Sequence, residues 1–308
     1  HFPTDISLLW DSINKLLIKS AKIAKKYKIL GWREYKSNLK KIKRVYRKIQ
    51  RTKHSTSKNP LKRKARKEFI HALYSQYINK VKKYIPLVKR LLKLLQSKYN
   101  VKIPPRISEL ISYNIKFISQ IKRRVLLGHK IPHNEKIFSI FEPDTEWICK
   151  GKSSLSQELG INVCIVISEN GFILNHKIMH KTTDSKIAVE IIEDTKIKYP
   201  ELHSCSFDKG FHSSRNQKEL ANHLPVVFLP KKGKLSKERK KIEYSHDFRK
   251  AIKHHPAVES SISALNNHGL DICRDKGVKG FHRYVSLAIL ARNIQILGHM
   301  IQTKALKK

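Results

Sequence analysis

Apolar residues recur at helical spacing through the first 130 residues, and then the period changes. Ile6, Leu9, Trp10, Ile13, Leu16 and Leu17 follow a Thr4-Asp5 start signal and predict an amphipathic helix. Ile42, Val45 and Ile49 repeat the stripe, with Lys and Arg filling the other faces. Ser55 to Pro60 (STSKNP) predicts a loop. Phe69, Leu73, Tyr77 and Val81 mark a further helix that Pro86 should kink or end, because proline lacks an N–H and its ring clashes with the preceding turn. Leu87, Leu91 and Leu95 continue the helical series.

The texture changes at Ile131-Pro132. Lys136 to Phe141 (KIFSIF), Ile161 to Ile167 (INVCIVI) and Gly171 to Ile178 (GFILNHKI) are strand-like, and Asn170-Gly171 is a hairpin signal between the last two. Thr183-Asp184 then starts a helix with Ile187, Ile191 and Ile192 on one side. Ser204 to Phe207 and Pro225 to Leu229 are short strands, the second followed by the basic run Lys231 to Lys241. From His246 the pattern is helical again, with a loop at Asp271 to Gly280 and a last apolar helix from about Phe281 to Ile301. Hairpin strands, alternating helices and strands, and terminal helices predict an α/β unit over 131–308, a mixed sheet with flanking helices. Residues 1–130 form a separate helical segment.

Charge divides the same two parts. Residues 1–130 hold 36 Lys and Arg against 5 Asp and Glu, while 131–308 hold 29 against 19. Lys outnumbers Arg 49 to 16, the mark of an A/T-rich genome, yet codon bias does not strip acids from one half of a chain. A field of this sign recruits polyanions, since each neutralised phosphate releases condensed counterions. No run is expected to reach membrane-span length, so the partner read from the charge is nucleic acid and not a membrane. The four cysteines (Cys149, Cys164, Cys205, Cys273) show no metal spacing; they read as reduced thiols, three of them buried in strands, in a reducing, cytoplasmic compartment. The chain opens on His-Phe-Pro-Thr-Asp without methionine or leader, which reads as a cut inside a longer protein.

Two carboxylates stand out. Asp208 follows a strand and precedes Gly210, a position that exposes a side chain at the C-terminal edge of a sheet; a plain turn Asp is the competing reading. Glu259 flanks the stripe Val258, Ser261, Ile262 and Leu265 in the first turn of a helix after Pro256, where a dipole-capping role competes. Together, in a polycationic chain, they suit oxygen ligation of Mg²⁺ for phosphoryl transfer on DNA.

The ordered blocks HFPTD and LLWD, KIFSIFEP through KGK (Lys150 to Lys152), ELG, FDKGFH, LPKKG, AVES and GFHRY extend across essentially the whole chain. In that order they resemble insertion-sequence transposases of the DDE type, the ISNCY-like group, with an RNase H-like catalytic domain. The resemblance implies that Asp208 and Glu259 are the second and third catalytic carboxylates and ligands of Mg²⁺, with Mn²⁺ as substitute. It places the first Asp upstream of His1 and makes residues 1–130 a basic helical insertion. Glu142 and Asp144 are alternatives for the first carboxylate. The partners implied are transposon ends and target DNA, bound by a homo-oligomer in the nucleoid. Lys150, Lys152, Lys209, Arg239 and Lys240 are candidate phosphate contacts. The group places basic residues four before and seven after the Glu; here these are His255, a further DNA-contact candidate, and Asn266. The rival readings are a non-catalytic basic DNA-binding protein and an RNase H-like nuclease without strand transfer. The charge itself makes one expectation: affinity for random-sequence duplex, measured by fluorescence anisotropy, falls steeply with salt. A nearly salt-independent affinity would mean the cations reflect genome composition alone.

Overall fold

The computed structural model describes residues 4–53, 58–149 and 157–306. The chain is mixed helix and strand, predominantly helical, and divides into two compact units, residues 1–143 and 144–308. The division falls downstream of the change in texture at Ile131-Pro132, because Ile137 and Ile140 are packed in the helical core of residues 1–143.

The first unit contains α1 (Asp5–Lys26), α2 (Tyr35–Lys53), α3 (Pro60–Lys82), α4 (Tyr84–Tyr99) and α5 (Pro105–Ile121). Thr4 starts α1 through a reciprocal capping box: its side chain accepts from Ser7 N–H, and Ser7 Oγ accepts from Thr4 N–H. Asn59 caps α3 by accepting from the N–H groups of Leu61 and Lys62, with Pro60 in the first helical position. The break between α3 and α4 falls at Lys83, not Pro86. Pro86 lies in the first turn of α4, where a missing N–H goes unnoticed.

Leu9, Ile13, Ile42, Ile49, Leu110 and Phe117 are fully or almost fully buried in one helical core. Phe69 and Leu87, which share helical spacing with core residues, face solvent. Tyr77 is buried at the centre, its hydroxyl donating to the Ile6 carbonyl at 3.1 Å. Asn114, also buried, donates to Ser12 Oγ and to the Leu110 carbonyl, both at 2.8 Å. The run Lys136 to Phe141, expected as a strand, pairs with nothing in a sheet. Ile140 is buried in the helical core, and its carbonyl accepts from Arg106. A short apolar run serves equally well as core filler, and here the helices claim it.

In the second unit β1 (Glu146–Cys149) pairs antiparallel with β2 (Gln157–Gly160). β3 (Asn162–Ile167) pairs antiparallel with β4 (Ile173–Met179), with an irregularity at Val166/Ile167. Between β3 and β4, Gly171 takes the positive φ of +85° that the tight turn requires. Next come α6 (Asp184–Lys198), β5 (Ser204–Ser206), α7 (Ser214–His223) and β6 (Val226–Phe228), with β5 and β6 parallel. Finally α8 (Lys237–Glu243), α9 (His246–Lys253), α10 (His255–Leu265) and α11 (Gly277–Leu306) close the unit. Among the described residues the pairing forms three two-stranded sheets, not the single mixed sheet expected. Pro225 and Pro230 bracket β6 and deny it the donors a longer ladder needs.

Ile187, Ala188, Ile191 and Ile192 of α6 pack with Cys164, Phe207, Leu220 and Leu229. Ile173, Leu265, Val285 and Ile289 form a smaller cluster. All four cysteines are free. Cys164 and Cys205 lie in the packed layer of β3, β5 and α6, and burial pushes both thiols up to about 12. Cys149, expected in a buried strand, is exposed at the end of β1. Contrary to the sequence expectation, α11 is long and apolar enough to cross a membrane by length and composition, although Val285 and Ile289 on one side of it are packed within the unit.

Tyr77 sets the scale of the first core. We expect Tyr77→Phe to cost about 1 kcal/mol through the lost hydrogen bond, and Tyr77→Ala about 3–5 kcal/mol through the cavity. Urea denaturation measures both; equal losses would show that the ring does not hold these helices together.

Candidate functional site

The site is built at the end of β5. Phe207 is buried and its N–H donates to the Phe228 carbonyl at 2.9 Å, fastening the strand end beside β6. The chain then emerges, and Asp208 is exposed ahead of one tight turn, Lys209–Phe211, whose Phe211 N–H returns to the Asp208 carbonyl at 3.1 Å.

A second carboxylate stands next to it. Asp184 begins α6 and is half-buried; desolvation first, and the neighbouring negative charge of Asp208 second, push its carboxyl above the ordinary range, while Lys232 pulls the other way. A Cβ at Gly210 would lie 2.5 Å from Asp184 Oδ2, so a side chain there would push the carboxylate aside. The buried amide of Asn216 locks this arrangement. Its Nδ2 donates to the Ser185 carbonyl at 2.6 Å and to the Phe211 carbonyl at 2.7 Å, tying the start of α6 to the turn after Asp208. Asp184 was read from sequence only as a helix-start residue behind Thr183. Two signals bear on a further role: the Thr183 side chain makes no capping bond, and Gly210 leaves room for the carboxylate.

His255 approaches from α10. Its Nε2 is 2.7 Å from Ser206 Oγ, two residues before Asp208. Desolvation pushes its imidazole pKa down and Asp208 pulls it back up. Glu259 lies one turn further along the same face of α10 and is exposed. Of its expected stripe, Ser261 and Leu265 are buried, whereas Ile262 faces solvent. Thus Asp208, Asp184 and His255 come together, with Glu259 one helical turn beyond His255. Asp144 pairs with His180, its carboxylate 3.2 Å from Nε2, and Glu142 belongs to the first unit.

The candidate phosphate contacts separate. Lys209 and Lys240 are exposed. Arg239 is not a free surface cation: it pairs with Glu243 at 2.7 Å, both side chains largely buried, donates to the Leu229 carbonyl and lies over the Phe248 ring. Its role is to hold α8 against the end of β6. Lys150 and Lys152 lie outside the described residues. Asn266 is exposed in the wide turn that follows α10.

Asp184 and Asp208 are hard oxygen donors and fit Mg²⁺, which takes one or two carboxylates and completes its shell with water and phosphate. They do not make a closed cage: among the described residues no three His, Cys, Asp or Glu side chains form a metal-holding group. The chain matches no protein-family profile, no curated protein and no solved structure.

The strained carboxylate has a measurable signature. A raised folded pKa means that ionised Asp184 lowers stability at neutral pH, and that this cost disappears as pH falls through its folded value. We expect Asp184→Asn to raise the melting temperature at pH 7, with the gain shrinking as pH falls into the carboxylate range. A gain that stays constant with pH would show that Asp184 feels no repulsion from Asp208.

Proposed function

We propose that this chain is the catalytic part of a DNA transposase of the DDE type, with an RNase H-like core carrying a basic helical insertion. The observation that carries the reading is the meeting of Asp208, at the exposed end of β5, with His255 of α10, the helix that bears Glu259 one turn on. The excess of 36 cations over 5 acids in residues 1–130 supports DNA as the substrate.

In this reading Asp208 and Glu259 would hold Mg²⁺, or Mn²⁺ in its place, and Asp184 would add negative charge beside Asp208. When bound, the ion stabilises charge on the reacting phosphate and activates the attacking oxygen. The chain's own groups do the positioning. Lys209 and Lys232 draw the DNA backbone toward the carboxylates. His255, fixed to Ser206, sets where α10 begins and so where Glu259 is presented. Water attacks the phosphodiester at the element end as its P–O3′ bond breaks, releasing a 3′-OH; that 3′-OH then attacks a target phosphodiester and displaces the target strand's own 3′-oxygen. The first carboxylate of the triad belongs upstream of His1, and the protein works on chromosomal DNA in the cytoplasm.

The test compares this chain with one extended upstream through the next strand, using element-end DNA in Mg²⁺. The extended chain should cut and join, and Asp208→Asn or Glu259→Gln should lower the rate by about a hundredfold or more while leaving DNA binding intact. Binding without cleavage in either form would favour the non-catalytic DNA-binding protein. Cleavage without joined products would favour the nuclease. If residues 1–308 alone cut DNA and Asp184→Asn stops them, the first carboxylate is Asp184 and not an upstream Asp.

A further inference from the structure

We propose that the pocket between the α1–α2 turn and α4 is a stacking site for a single unpaired base of DNA, whose phosphates are drawn in by the surrounding cations. The turn is fixed to the helices beside it. Ile29 N–H donates to the Ala24 carbonyl at 2.8 Å, and the Tyr99 hydroxyl donates to the Tyr27 carbonyl at 3.2 Å. It carries Trp32, which packs against the helical core, and leads into α2 at Tyr35. Trp32, Tyr35 and Tyr84 of α4 line one cavity of about 250 Å³, together with buried Leu17 and Leu91. That is below the size of most drug-sized ligand pockets: it has room for one flat ring system and none for a base pair with its backbone.

The polar groups around the rings select the occupant. Asn38 and Arg90 also line the cavity, and among the described residues neither side chain has a hydrogen-bond or ion-pair partner. An amide left free offers a donor and an acceptor to a base edge, and a free guanidinium suits phosphate. The wall segments 27–38 and 84–94 carry Lys28, Arg33, Lys36, Lys89, Arg90 and Lys93 against one acid, Glu34. An apolar protein segment would use the rings but leave these cations unmatched. A nucleotide uses the aromatic faces, the amide and the cations at once, the combination by which single strands are bound without sequence preference. Bases inside an intact duplex present no free face, so the pocket acts only where pairing is already broken.

The proposal rests on the reading of DNA as partner but not on the carboxylate chemistry, so it is tested by binding alone, at one salt concentration and without metal. Three short duplexes are compared by fluorescence anisotropy: one fully paired, one with a single unpaired adenine, and one with an unpaired abasic nucleotide at the same place. The abasic probe keeps the distortion of the backbone and removes the ring. The chain should bind the adenine probe about tenfold more tightly than the abasic one. Trp32→Ala should erase that difference and leave affinity for the fully paired duplex unchanged, whereas Trp32→Phe should keep most of it. If Trp32→Ala disturbs folding, Trp32→Leu, which keeps apolar bulk without a large ring, should erase the difference instead. Equal affinity for the adenine and abasic probes overturns the proposal and leaves DNA as partner; failure to bind any of the three removes both. A preference that survives every Trp32 substitution also overturns it. So does a Trp32→Ala chain whose self-association changes while its DNA preference does not, since the pocket would then hold an apolar protein segment.

Discussion

The candidate site in residues 144–308 depends on one buried amide. Asn216 satisfies two backbone carbonyls from a single nitrogen, one at the start of α6 and one in the turn that follows Asp208. Those two segments bring two carboxylates together, an arrangement that electrostatics alone would push apart. Left unpaired, either carbonyl would be a desolvated acceptor, so the bonds hold the backbone where the side chains repel. Gly210 contributes by leaving space, and His255 by anchoring α10 to β5 through Ser206. What looks like a loose collection of short strands is stapled by polar groups at the point where chemistry is proposed.

The first unit solves a different problem. Its helices are so rich in Lys and Arg that few of the cations have an acid to meet; among the described residues Arg106 pairs with Glu109, Arg123 with Glu135 and Arg124 with Asp5. Surface pairs of this kind contribute little. Stability therefore rests on the apolar stripe and on buried Tyr77, Ser12 and Asn114, whose hydrogen bonds fix how α1, α3 and α5 meet. The outer faces are left free to carry the positive field.

How much of this was legible in the sequence varied with the kind of signal. The β3–β4 hairpin was readable because Asn170-Gly171 supplies the positive φ its turn demands, and α6 because Ile187, Ile191 and Ile192 keep helical period behind Thr183. Asp208 was readable as a strand-end acid for the same local reason. KIFSIF was not, since six residues of apolar alternation fit a strand and a core-filling segment equally well, and only Arg106 and the distant helices decide. Arg239 was hidden among like neighbours in a basic run; the sole clue is Glu243 four residues on. Asp184 was hidden because its relation to Asp208 is purely tertiary. Leu287, Leu290, Ile294, Leu297 and Ile301 of α11 are exposed although apolar, which helical period alone does not reveal.

The two thiols of this packed layer have a further consequence. Cys164 and Cys205 sit in the layer beneath Asp208, and at about 12 their pKa leaves almost no thiolate at neutral pH. A thiol reagent can reach buried Cys164 only when that layer opens, whereas Cys205 is partly exposed and Cys149 exposed. The protein thus carries its own clock: fast modification at Cys149 marks the start, and the slow arrival of label at Cys164 times how often the floor of the carboxylate site comes apart.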